Sequence, residues 1–114
     1  MAVTIRLPTP PSTNALYANV PGRGRVPSIK YCEWKKEALA SLWGQRYAPV
    51  HGPVSLHIVV KENGRRDLGN YEKATTDFLV SNGIIDGDRC KIVRAITLVW
   101  GDVDGAEITI EEWK

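Results

Sequence analysis

Residues 54–61, Val-Ser-Leu-His-Ile-Val-Val-Lys, constrain the fold more than any other stretch of the chain. Val54, Leu56, Ile58 and Val60 fall on one side of an extended backbone, and Ser55, His57 and Lys61 on the other. A strand of this kind belongs in a sheet with one face to bury. Residues 2–7 repeat the alternation with Val3, Ile5 and Leu7. Residues 91–100 and 106–112 read as two further strands, with Gly101 to Gly105 as a hairpin loop between them. Helical spacing occupies two intervals. Ser28 is placed to cap a helix over residues 29–46, whose apolar face carries Tyr31, Trp34, Ala38, Leu39, Leu42 and Trp43. A second helix is predicted from Asp67 to Asn82, burying Leu68, Tyr71, Thr75, Phe78 and Leu79, with Gly83 ending it. Residues 8–27 hold Pro8, Pro10, Pro11, Pro21, Gly22, Gly24 and Pro27, and read as a long loop without regular structure. The order strand, helix, strand, helix, strand, strand implies an α+β fold: a small mixed sheet of about four strands with two main helices packed on it.

The 114 residues suit a single domain spanning 1–114. With 43% hydrophobic and 25% charged residues the composition is that of a soluble globular chain. No apolar run approaches the roughly 18 residues that span a bilayer, and Met1 to Pro11 contains no secretory apolar core, so no membrane association is expected. Cys32 and Cys90 do not make a disulfide framework, which favours a reducing, cytoplasmic setting. His51, His57, Cys32 and Cys90 lack the paired spacing of a zinc site. Ser12 and Ser28 have no evident histidine partner for nucleophilic catalysis. Gly22 and Gly24 are not followed by the Gly-Lys-Ser/Thr of a phosphate-binding loop, and no small-molecule cofactor is expected. The formal charge of +2 hides an asymmetry: residues 1–94 carry 14 basic against 8 acidic residues, and residues 95–114 one basic against five acidic. A basic body of this kind can hold phosphates, or can simply be solvated.

The chemistry concentrates in Arg65-Arg66-Asp67-Leu68-Gly69-Asn70-Tyr71-Glu72-Lys73 and in Asp86-Gly87-Asp88. Asp67 at a helix start can cap backbone N–H groups, and Lys73 is within two turns of it. If the later turn folds back on the helix start, two carboxylates and an ammonium converge beside two arginines. Mg²⁺ favours such a site, with few carboxylates completed by water and substrate phosphate oxygens, and Lys73 would stabilise transition-state charge or orient the attacking water. Taken singly, each residue has a plainer role: Asp67 a cap, Asp86 and Asp88 turn formers, Lys73 and Asp77 a surface ion pair at four-residue spacing.

Leu7-Pro8-Thr9-Pro10-Pro11-Ser12-Thr13-Asn14 after a first strand resembles the opening of the RusA family of Holliday junction resolvases. Asp67-Leu68-Gly69-Asn70-Tyr71-Glu72-Lys73-Ala74-Thr75-Thr76-Asp77-Phe78-Leu79 is similar to the family's central motif, D-x-D-N-x-x-K-x-x-x-D-x-L, and Gly83-Ile84-Ile85-Asp86-Gly87-Asp88 to its later Asp-bearing turn. The resemblance runs through nearly the whole chain in motif order. It implies a RusA-like fold and a homodimeric, Mg²⁺-dependent endodeoxyribonuclease, with Mn²⁺ as a substitute ion, that resolves four-way junctions by paired symmetric nicks in recombination and repair. Such proteins are frequent in phages and prophages, so a bacterial or phage-infected cytoplasm is implied. Asp67 and Asp88 would be metal-binding carboxylates, and Lys73 the essential basic residue. Asn14, Arg23, Arg25, Arg65, Arg66 and Lys73 would meet DNA. The chain departs from the pattern at Gly69, where the family has a second carboxylate; Asp86 is a candidate substitute, since Gly87 stands where the turn tends to carry Asp. Asp in the first turn of a helix would be favoured and Gly disfavoured by about 1 kcal/mol, so local structure gives no reason for Gly69. The departure implies impaired cleavage, or a catalytically inactive branched-DNA binder.

A four-way junction has two-fold symmetry, which a C2 dimer matches by presenting the same site twice. Ile92, Ile96, Leu98 and Trp100 are candidate interface residues, and four tryptophans in so short a chain point to apolar surface reserved for an interface. A competing reading is an RNA-binding or protein-interaction domain of α+β class, which would show no preference for branched over linear duplex.

Overall fold

The computed structural model describes residues 2–114. In chain order the elements are β1 (Ala2–Leu7), β2 (Tyr17–Val20), β3 (Gly24–Pro27), α1 (Ile29–Trp43), β4 (Val54–Lys61), α2 (Glu72–Ser81), β5 (Val93–Gly101) and β6 (Ala106–Glu112). Short 3₁₀ turns occupy Thr13–Ala15 and Leu68–Tyr71. The fold is α+β: a mixed four-stranded sheet, a separate two-stranded ribbon and two helices.

The sheet order is β1-β6-β4-β5, with β4 parallel to β5 and antiparallel to β6. Val54, Leu56, Ile58 and Val60 are buried on one face of β4, in register with Ile108 and Ile110 of β6, and Val3, Ile5 and Leu7 of β1 continue the same face. Tyr31, Trp34, Ala38 and Leu42 of α1 and Ala74, Phe78 and Leu79 of α2 join them in one core cluster. The opposite face of the sheet is polar: Thr4 and Thr109 exchange a hydroxyl hydrogen bond at 3.1 Å, and Arg6 pairs with Glu107 at 3.4 Å. His57 is exposed there.

Three expectations are corrected. First, β5 and β6 do not form a hairpin, because β4 lies between them. β4, with four buried side chains, takes the centre beside β6, whereas β5 has no fully buried residue and takes an edge. The connection passes the end of β4, where the Lys61 N–H donates to the Gly105 carbonyl at 2.8 Å. Gly105 has φ +104°, and a Cβ there would collide with the Leu7 carbonyl oxygen, so no other residue fits this crossing.

Second, the segment 8–27 is not wholly irregular. β2 and β3 pair over Tyr17↔Pro27 to Val20↔Gly24. The turn is closed by the Arg23 N–H on the Val20 carbonyl at 3.0 Å. Gly22 and Gly24, at φ 79° and 75°, make that turn possible, and the prolines lie at the margins of the ribbon where a missing N–H costs little.

Third, α1 ends three residues early, at Trp43, which is 76% exposed and leaves the buried face. The chain turns at Gly44 and Gln45, and Gln45 bonds across to β1 instead of extending the helix: its Oε1 accepts from the Arg6 N–H at 2.7 Å and its Nε2 donates to the Arg6 carbonyl at 2.6 Å. Ser28 caps α1 as expected, accepting from the Tyr31 N–H at 3.1 Å. Among the described residues no helix is long and apolar enough to cross a membrane.

Candidate functional site

The predicted second helix divides in two. Leu68–Tyr71 is a 3₁₀ turn, and the α-helix begins only at Glu72. Gly69 therefore lies in an exposed turn, and the helix-interior cost argued for it does not apply. Its φ is not positive, and a Cβ there would have no atom within 4 Å. Neither backbone nor packing calls for glycine at this position.

Asp67 precedes the turn at the N-cap position, yet its carboxylate caps nothing. The turn is held by the backbone instead, Asn70 N–H to Asp67 carbonyl at 3.1 Å. The exposed Asp67 carboxylate is left facing solvent rather than being consumed by the helix end, which corrects the capping expectation. Arg65 and Arg66, also exposed, project from the preceding loop, whose shape is set by Asn63: its Oδ1 accepts from the Arg65 N–H at 3.0 Å and its carbonyl from the Arg66 N–H at 3.2 Å.

Lys73 does not reach back to Asp67. Its Nζ donates forward to Asp77 Oδ1 at 3.2 Å, the ion pair expected from the spacing alone. The hydrogen bond and the charge of Asp77 raise the Lys73 pKa, and Asp88 adds to the effect. Asp88 thus lies within electrostatic reach of the first turn of α2, as does Tyr17 from the β2–β3 ribbon. Glu72, which the sequence reading passed over, belongs to the same neighbourhood. It is half-buried, and desolvation raises its pKa; Lys73 lowers it, while Asp77 and Asp88 raise it further. Its signal in the sequence is only an acidic residue beside Lys73.

Asp86 is engaged elsewhere. Its Oδ1 is 2.8 Å from His51 Nδ1, and its Oδ2 accepts from the Gly52 N–H at 2.7 Å. The Gly52 bond and then the His51 contact lower its pKa. Both oxygens tie the 86–88 turn to the start of β4, so Asp86 is engaged by His51 and Gly52 rather than held free beside Gly69. Because the folded pKa lies below the ordinary 3.8, Asp86 contributes stability that is present above 3.8 and is lost as pH falls through the depressed value. Asp86→Asn is therefore expected to lower the urea midpoint at pH 6, with the gap to the unmodified chain closing below that window. An equal gap at pH 6 and pH 2 would contradict this role.

The proline-rich opening packs beside the site. Thr13 Oγ1 donates to the Asn70 carbonyl at 3.1 Å, which brings the exposed Asn14 next to the Leu68–Tyr71 turn. Arg25 stacks over the Tyr17 ring at 4.8 Å, and Tyr17 meets Tyr31 edge-on at 6.0 Å, so the ribbon carrying Arg23 and Arg25 leans over the N-terminal part of α1. A cleft of about 360 Å³ opens between the prolines, α1 and the 62–66 loop, lined by Pro10, Lys30, Glu33, Trp34, Arg66 and Tyr71 among others. It contains Arg66 but none of Asp67, Lys73 or Asp88.

The structure therefore pairs Lys73 with Asp77 on α2, with Glu72 beside them and the charge of Asp88 acting on both Lys73 and Glu72. Among the described residues no group of three or more His, Cys, Asp or Glu side chains comes together in a metal-ligating arrangement. The donor set does not fit the three-carboxylate site that the motif resemblance implies: Gly69 offers no ligand and Asp86 is spent on His51 and Gly52. No family model and no curated protein matches the chain.

Proposed function

We propose that this chain is a RusA-like homodimeric protein that recognises four-way DNA junctions and whose phosphodiester cleavage is impaired by Gly69. The observation that carries the reading is the ordinary, open position of Gly69 in a motif otherwise matched from Asp67 to Leu79. A glycine that neither φ nor a close approach requires leaves room for a side chain, and that position falls where the resembling family places a carboxylate. Arg65, Arg66, Arg23 and Arg25 supply charge for phosphates, Asn14 supplies a neutral hydrogen-bonding group, and Lys73 adds an ammonium whose charged form Asp77 favours further. In the resembling family Mg²⁺ would activate water and neutralise developing charge. Here the residues hold and orient DNA, and the step that breaks the phosphodiester bond lacks its full donor set.

The test is a mobility-shift titration of four-way junction against linear duplex at several salt concentrations, with nicking followed in Mg²⁺ and Mn²⁺. The junction is expected to be bound in preference to the duplex at raised salt, with little nicking. The Arg65→Ala/Arg66→Ala variant is expected to weaken binding, and to reduce the slope of log K against log salt by about 2, since each phosphate contact contributes about 0.9. Equal binding of branched and linear DNA would favour the RNA-binding or protein-interaction alternative, and robust nicking by the unmodified chain would refute the impairment.

A further inference from the structure

The two edges of the main sheet are treated differently. The outer edge of β1 is covered: Gln45 satisfies both backbone groups of Arg6, and Ser41 Oγ donates to the same carbonyl at 3.2 Å. Among the described residues the outer edge of β5 has no such cover, and β4 is the only strand paired with it. β5 is nine residues long, Val-Arg-Ala-Ile-Thr-Leu-Val-Trp-Gly, without proline. Ile96, Leu98 and Trp100 lie on its core-facing side and are only half-buried, as is Leu68 beside them. A long apolar edge with free N–H and C=O groups is an invitation to another strand, and soluble proteins protect such edges unless they are used.

We infer that the β5 edge is the dimer interface, pairing antiparallel with the β5 of a second copy of this chain across a two-fold axis. The inference rests on the proposed function for the expectation of a two-fold partner, and on the strand itself for where that partner sits. Charge selects both the copy and the direction. The chain entering β5 carries Arg89, Lys91 and Arg94, and the loop leaving it carries Asp102 and Asp104, all exposed except for the intervening apolar residues. Antiparallel pairing of two copies sets the basic end of each against the acidic end of the other, whereas parallel pairing would stack like charges. The register follows from a bulge. The pairing with β4 runs Val54↔Val93, then Ser55↔Ala95, so Arg94 is the extra residue and the regular ladder is Ala95 to Gly101. The centre of that ladder is Leu98. A two-fold axis there sets Ile96 opposite the partner's Trp100 and Thr97 opposite the partner's Val99, and brings the basic end at Arg94 towards the partner's acidic end at Asp102. The two sheets then run as one across eight strands, and the exposed edge disappears.

The full chain in a Cys32→Ser/Cys90→Ser background provides the test. Sedimentation equilibrium is expected to give twice the chain mass. Arg94→Glu and Asp102→Arg, both on exposed side chains, are each expected to raise the dimer dissociation constant at least tenfold, and Arg94→Glu/Asp102→Arg together to restore it. An equimolar mixture of Thr97→Cys and Val99→Cys chains is expected to form an oxidised dimer faster than either alone, because directly opposed residues have Cα atoms about 4.5–5.5 Å apart, within disulfide range, and the like-numbered pairs are about 7–8 Å apart. A monomer at every concentration, absence of charge-swap rescue, or equal cross-linking in all three samples overturns the inference. Junction binding is scored separately: a chain that binds junctions but fails these tests loses the interface and keeps the function, and one that passes them without preferring junctions loses the function and keeps the interface.

Discussion

Gly69→Asp is expected to nick a four-way junction in Mg²⁺ at least about 100-fold faster than the unmodified chain. Removing a group that only supports a metal ligand commonly costs 10–100-fold in affinity or activity, so restoring an absent ligand should return about that much or more. The substitution is sterically free. An added Cβ meets no atom within 4 Å, φ at this position is not positive, and the 3₁₀ turn from Leu68 to Tyr71 is held by a backbone hydrogen bond that Asp does not disturb. Fold stability should be unchanged within about 0.5 kcal/mol, as for most surface changes. Two controls separate ligation from charge. Gly69→Asn fills the same volume with a poorer ligand and should remain close to the unmodified chain. Lys73→Met added to Gly69→Asp should remove the gained activity if Lys73 stabilises the transition state. Product analysis should show paired, symmetric nicks that require the divalent ion. A Gly69→Asp chain that binds junctions normally yet gains no cleavage in Mg²⁺ or Mn²⁺ would show that the carboxylates of this site do not assemble, and would leave the protein a branched-DNA binder alone.

What the sequence made legible, and what it hid, follows from the range of the interactions involved. The alternation in residues 2–7 and 54–60 specified which side chains enter the core, because a strand with one covered face admits only one phase. The Ser28 cap and the Tyr31, Trp34, Ala38, Leu42 stripe are likewise local, and both appear as read. Strand order is not local. Nothing in residues 101–105 reveals that the chain passes over β4 rather than doubling back, since a glycine-flanked polar loop serves either path; the order of the strands is a property of the whole sheet. The β2–β3 ribbon was masked by its prolines, which discourage strand assignment although they lie at the ribbon's margins. In the candidate site, the partner of each side chain was not legible. Lys73, Asp86 and Asp67 each had two or more available partners in the sequence, and geometry chose Asp77 for the first, His51 and Gly52 for the second and solvent for the third. Glu72 gained its importance only from burial, which one acidic residue next to a lysine does not announce.

Trp34→Ala is expected to have the largest effect on stability, about 3–5 kcal/mol, because Trp34 joins three parts of the molecule at one point. It is 5% exposed, lies parallel to Tyr31 at a 6.3 Å centroid separation and meets Phe78 edge-on at 5.5 Å, which ties α1 to α2. Its Nε1–H also donates to the Pro8 carbonyl at 3.0 Å, which pins the proline-rich opening to α1. Truncation leaves both a cavity and an unpaired carbonyl in a part-buried setting. Against a total of about 5–15 kcal/mol for a domain, a loss of this size brings the chain close to unfolding, and thermal melting should fall by more than about 10 °C. Trp34→Phe separates the two contributions. It keeps most of the aromatic packing and removes the donor, so it should cost about 1–3 kcal/mol while leaving the helical signal intact. The same variant should loosen Pro8 to Ser12, and with it the approach of Thr13 to Asn70 that brings Asn14 beside the Leu68–Tyr71 turn. Junction affinity of Trp34→Phe should therefore fall at temperatures where the chain is fully folded. Urea denaturation of the two variants, paired with junction titrations at 10 °C, measures both effects; a Trp34→Ala cost below about 1 kcal/mol would mean that Trp34 does not hold these elements together.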